Sequence, residues 1–86
     1  MKIELKRNFK FNGKEMIEIR VSDRKLNKAQ SLWNKFDSNI CFTDNDDSSE
    51  ELENGVIEHA RDFICYKEDF GNQKEAIKYA RQLGRA

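Results

Sequence analysis

The chain has 86 residues, 37% apolar and 37% charged, and its net charge is zero. That length closes one modest core, so residues 1–86 are expected to form a single domain, and the content of Phe, Ile, Leu and Trp is too high for a disordered polymer. Charges at Lys2, Glu4, Lys6 and Arg7 leave no apolar leader, and no run of eighteen apolar residues occurs, so the expectation is a soluble, cytoplasmic protein with no membrane partner.

Residues 2–11 alternate, with Ile3, Leu5, Phe9 and Phe11 against Lys2, Glu4, Lys6, Asn8 and Lys10, which predicts a half-buried strand. Asn12-Gly13 signals a turn, and Ile17, Ile19 and Val21 continue the alternation in a second strand. A two-residue loop would set the Phe side chains opposite the polar face of strand two. A three-residue loop, Asn12-Gly13-Lys14, pairs Phe9 with Ile17 and Leu5 with Val21, and is the register the pattern predicts. Ser22 and Asp23 suit a helix start, and Leu26, Ala29, Leu32, Trp33 and Phe36 recur at helical spacing over about residues 23–36. Asp37-Ser38-Asn39 breaks that helix, and Ile40–Thr43 is a short β-prone run expected to add a third strand.

Residues 44–53 are acidic, and Ser48 with Glu51 matches a capping box, so a helix carrying Leu52, Val56, Ala60 and Phe63 is expected from there. Gly55 weakens that helix, and residues 62–67 also suit a strand. Asn72 and Glu75 predict the cap of a last helix with Ala76, Ile77, Ala80 and Leu83 as its stripe and Gly84 as its end. The fold class is therefore α+β: an N-terminal hairpin and a short third strand packed against two or three helices, in the order β-β-α-β-α-α, or alternatively β-β-α-β-β-α.

Charge is sorted along the chain. Residues 1–36 hold ten Lys/Arg against four Asp/Glu, and residues 37–86 hold six against twelve, which is +6 followed by −6. On the first predicted helix Arg24, Lys28 and Lys35 fall within about 40° of one another; on the last, Lys74, Lys78, Arg81 and Arg85 step by four, three and four. In the predicted hairpin Lys6 faces Arg20, a like-charge pair that an anion would relieve, although Glu4 and Glu18 lie within diagonal reach. Amphipathic helices in charged proteins also expose lysines simply to water. Gathered on one surface, Lys6, Lys10, Arg20, Arg24, Lys28 and Lys35 would contact the phosphates of RNA or DNA, or an acidic protein surface. The stripe of Lys74, Lys78 and Arg81 would add to it.

The acidic segment offers a second reading, in which Asp44, Asp46, Asp47, Glu50 and Glu51 dock on a protein partner. The chain would then be an inhibitor or adaptor of the kind found among small phage-encoded counter-defence proteins, a comparison resting on size, charge density and lack of motifs. Calcium fails on spacing, because Ser49 falls where the loop wants Gly and Gly55 where it wants a bidentate Glu. Cys41, His59 and Cys65 match no nucleophile or metal spacing, and the cysteines are expected to be reduced and packed as small apolar residues. Trp33 and the Phe residues read as core, with Phe9 and Phe11 as stacking platforms for bases if their sheet face is open. The sequence thus predicts a non-enzymatic binding protein without cofactor, metal or small-molecule substrate, whose exposed strand edge is available for pairing into a homodimer.

Overall fold

The computed structural model describes residues 1–51 and 54–86, and of residues 46–51 the backbone alone. Strand β1 runs Lys2–Phe11, β2 Lys14–Asp23, helix α1 Leu26–Asp37, β3 Thr43–Glu51 and β4 Ile57–Tyr66; a 3-10 turn, Lys67–Asp69, leads to α2, Gln73–Arg85. The strands form one antiparallel sheet in the order β1-β2-β4-β3. Both helices pack on one face of it, joining Ile17, Ile19, Val21, Phe63 and Cys65 of the sheet to Leu32, Trp33, Phe36, Ala76 and Ala80 in a single core. The α+β class and the N-terminal hairpin are as the sequence predicts, and the order is the alternative one with a second hairpin.

The first hairpin turns on two residues, not three. Asn12 and Gly13 have φ of 52° and 78°, which both central residues of the tight mirror-image turn require, and Phe11 pairs with Lys14. The frame shift that the hydrophobic pattern demands occurs instead at a bulge: Leu5 pairs with Ile19 and Arg7 with Glu18, leaving Lys6 over. Ile3 and Leu5 therefore face the helices opposite Val21 and Ile19. Beyond the bulge, Phe9 lies opposite Met16 and Phe11 opposite Lys14, on the other side of the sheet.

Helix α1 starts later than expected, because Ser22 and Asp23 finish β2. Asp23 Oδ1 accepts from the Lys25 N–H at 2.9 Å just before the helix. Trp33 anchors the helix on the sheet by donating its indole N–H to the Val21 carbonyl, at 2.9 Å. The Phe36 and Phe63 rings stack 5.1 Å apart, both fully buried, each contributing about 2 kcal/mol by leaving water. Asn72 caps α2 by accepting from the Glu75 N–H at 2.8 Å, as expected. Gly84 lies within α2 and does not end it; a Cβ there would come within 2.4 Å of Ile3, so the glycine lets the last turn close on β1.

The helix expected from the Ser48–Glu51 capping box does not form, since the backbone of residues 43–51 pairs with β4. Leu52, the first apolar residue of that expected helix, lies outside the described residues. Residues 57–66 are held between β2 and β3 and alternate as a strand, Phe63 and Cys65 toward the helices, Asp62 and Ile64 away from them. Pairing on both sides outweighs the helical spacing of Val56, Ala60 and Phe63. The third strand begins at Thr43, where the predicted run ends; Phe42 is buried in the core and Ile40 fully exposed.

Candidate functional site

With both helices on one side, the other face of the sheet is open, and the register sorts its side chains into rows. At the turn end Phe11 lies beside Lys14, and the next row is Phe9, Met16 and Tyr66 on β1, β2 and β4. Phe11 is 62% exposed and Tyr66 43%, whereas Met16 between the strands is buried. The Arg7 guanidinium sits 4.6 Å above the Phe9 ring, and Lys14 Nζ lies 5.4 Å from the Tyr66 ring centroid. Neighbouring strands are about 4.8 Å apart, so Phe9 and Tyr66 are separated by roughly 10 Å across Met16.

The middle of the same face is ionic. Asp62, fully buried, accepts from Lys6 Nζ at 2.7 Å and from Arg20 at 2.9 and 3.3 Å. Glu18, 2% exposed, accepts from Arg7 Nε at 2.6 Å and from the Asn45 amide. Burial works to raise the Asp62 pKa, but the bonds and charges of Arg20 and Lys6 outweigh it and hold the carboxyl below its ordinary range. The anion that relieves Lys6 and Arg20 is thus the chain's own. Arg20 pairs in register with Glu4, and the two cations meet at Asp62 and not across a ladder pair as predicted.

The other sequence-predicted cations are dispersed. Lys10 borders a groove of about 400 Å³ beneath the hairpin end, shared with Asn8, Glu15, Lys67 and Gln73. Arg24 and Lys28 stand at the far end of the sheet near Lys2, Lys25 and Glu58. Lys35 donates to the Gly84 and Ala86 carbonyls at the end of α2, a favourable place for a cation. Lys74 and Lys78 are exposed on α2, while Arg81 reaches the Ile3 carbonyl of the edge strand at 3.3 Å. Among the predicted acidic residues, Asp44 lies 3.7 Å from the Arg61 guanidinium, which itself covers Trp33; the side chains of Asp46, Asp47, Glu50 and Glu51 lie outside the described residues, and their backbone belongs to the edge strand β3.

Sequence reasoning assigned no site role to Arg7, Lys14, Glu18, Asp62 or Tyr66. Arg7 owes its place to the bulge, Lys14 to the two-residue turn, and Glu18, Asp62 and Tyr66 to the packing of β4 beside β2, a strand the sequence offered only as the alternative over residues 62–67. Burial pushes the Cys65 thiol up to about 12, which leaves no thiolate for nucleophilic chemistry. Among the described residues no cluster of His, Cys, Asp or Glu could hold a metal ion, and no helix is long and apolar enough to cross a membrane. No protein-family model, no curated protein and no solved structure matches the chain.

Proposed function

We propose that the chain is a non-catalytic binding module that takes single-stranded nucleic acid on the open face of its sheet, at the turn end of the first hairpin. The observation that carries the reading is the exposure of Phe11 and Tyr66, with Phe9, on a face no helix covers, each set beside a cation. Every base offers a flat face to such rings, so stacking carries the affinity, while Arg7, Lys14 and Lys6 beside them are already paired with Glu18, Glu68 and Asp62. Duplexes bury their base faces and so gain nothing from exposed rings. The buried carboxylates favour binding over chemistry, since both already hold cations through short bonds.

Fluorescence anisotropy with labelled ten-nucleotide RNA and DNA, single-stranded and duplex, at two salt concentrations tests the reading. Single strands are expected to bind more tightly than duplexes. Phe11→Ala and Tyr66→Ala should each remove one stacked base, about 1–3 kcal/mol or roughly 5- to 150-fold in affinity. No binding at low salt, or equal affinity for duplex and single strand, would sink it.

A second reading keeps the acidic segment as a dock for a protein partner, and the placement of residues 43–51 on a sheet edge favours it: an edge strand offers unpaired backbone groups to an extended basic peptide. Neutralising Asp44, Asp46, Asp47, Glu50 and Glu51 together should then abolish capture of the partner and leave oligonucleotide binding intact.

A further inference from the structure

The two hairpins are built alike. In the first, Lys6 is the unpaired residue of β1, between the pairs Leu5–Ile19 and Arg7–Glu18. In the second, Asn45 is the unpaired residue of β3, between Asp44–Phe63 and Asp46–Asp62. Laying one bulge on the other sets Ile19 on Phe63 and Glu18 on Asp62. Ile19 and Phe63 are also directly opposite each other in the β2–β4 ladder. An antiparallel ladder has a local two-fold axis through each of its pairs, so a half-turn about this one exchanges β2 with β4 and β1 with β3. Each hairpin is followed by a helix on the same face, α1 or α2.

Side-chain bonding obeys the same half-turn, and nothing in the strand register requires that it should. Lys6 crosses from β1 to Asp62 on β4, at 2.7 Å, and its counterpart Asn45 crosses from β3 to Glu18 on β2. We propose that the chain is a tandem pair of one ββα unit, each half fitted to a second copy of itself, and that Lys6 and Asn45 are equivalent clasps, each holding the buried carboxylate of the opposite half. The halves keep like residues where they interlock, with an acid at 18 and 62 and apolar residues at 19 and 63 and at 21 and 65. They differ toward the strand ends, where Phe9 corresponds to Ser48, Phe11 to Glu50, Lys14 to Glu58 and Tyr66 to Ser22. Divergence at these positions hides the repeat from the sequence and puts the aromatic row Phe9, Phe11 and Tyr66 at the turn end of the first hairpin.

Exchanging the clasps tests this. Lys6→Asn alone should lower Tm by several degrees, because Asp62 keeps only Arg20 of its two cations. Adding Asn45→Lys should restore at least half of that loss, since Lys at 45 then meets Glu18 as Lys6 meets Asp62. A double variant that recovers less than half would overturn the equivalence. Hydrogen exchange gives a second reading that does not depend on the exchange variants: Asp62→Asn, on β4, should speed exchange of the β1 amides around Lys6, two strands away, more than those of α2. Unchanged β1 protection would contradict the clasp.

Discussion

Asp62 and Phe11 have exchanged the places that composition alone would give them, the carboxylate buried and the ring exposed. Asp62 is tolerated because Lys6 and Arg20 together give both its oxygens charged donors, and removing it would strand both cations. Asp62→Ala should therefore cost about 3 kcal/mol, less than for a fully enclosed pair because Lys6 is 38% exposed. The depressed pKa of Asp62 gives the sign of the pH dependence. Its stabilisation is present above the ordinary value of 3.8 and lost as pH falls through and below that value. Asp23, held low first by the Lys25 N–H and then by the N-terminal amine, acts in the same direction. Thermal melts of Asp62→Asn should start lower at pH 7 and then decline less steeply than the parent from about pH 5 to pH 2; parallel curves would show that Asp62 does not carry the acid sensitivity. Phe11 contributes the opposite signature, because an exposed ring is a poor source of stability. Phe11→Ser should change the unfolding free energy by no more than the surface norm of about 0.5 kcal/mol while weakening oligonucleotide binding.

At the level of the element, the hairpin shows what pattern can and cannot reveal. Its strands, its Asn12-Gly13 turn, the apolar stripe of α1 and the Asn72 cap of α2 were legible because each is written in neighbouring residues. The bulge at Lys6 was not. The alternation Ile3, Leu5, Phe9, Phe11 is interrupted only by Arg7, and a loop of three residues explains the same pattern equally well. Turn chemistry decided the matter, since Asn-Gly supplies two positive φ values and the extra residue moved into the strand. Gly13→Ala tests that choice: at φ +78° the added Cβ costs about 1 kcal/mol, so urea unfolding should show that loss with an unchanged m value. A neutral substitution would mean the turn is not the tight one. The strand character of residues 44–51 was hidden for a different reason. Residues 44–51 are Asp, Asn, Ser and Glu, which prefer turns and helix starts locally, and only their pairing with β4 makes them a strand.

Across the whole molecule the sorted charge has two uses. Much of it is consumed internally: Lys6 and Arg20 of the first half close on Asp62 of the second, and Lys14 reaches Glu68 at 2.9 Å. The cations expected to form one continuous surface are instead divided among the open face, the far sheet end and α2, so a ligand reaching all of them would have to wrap the protein. What the open face adds is the rings, which the charge map alone did not select because Tyr66 joins Phe9 and Met16 only through the pairing of β4 with β2. NMR titration of the isotope-labelled protein with a single-stranded ten-nucleotide RNA examines this most directly. The largest shift changes are expected to gather at Phe9, Phe11, Lys14 and Tyr66, with those of Arg24, Lys28, Lys74 and Lys78 small. Changes concentrated on the helices or at the far end of the sheet, with the aromatic rows silent, would contradict it.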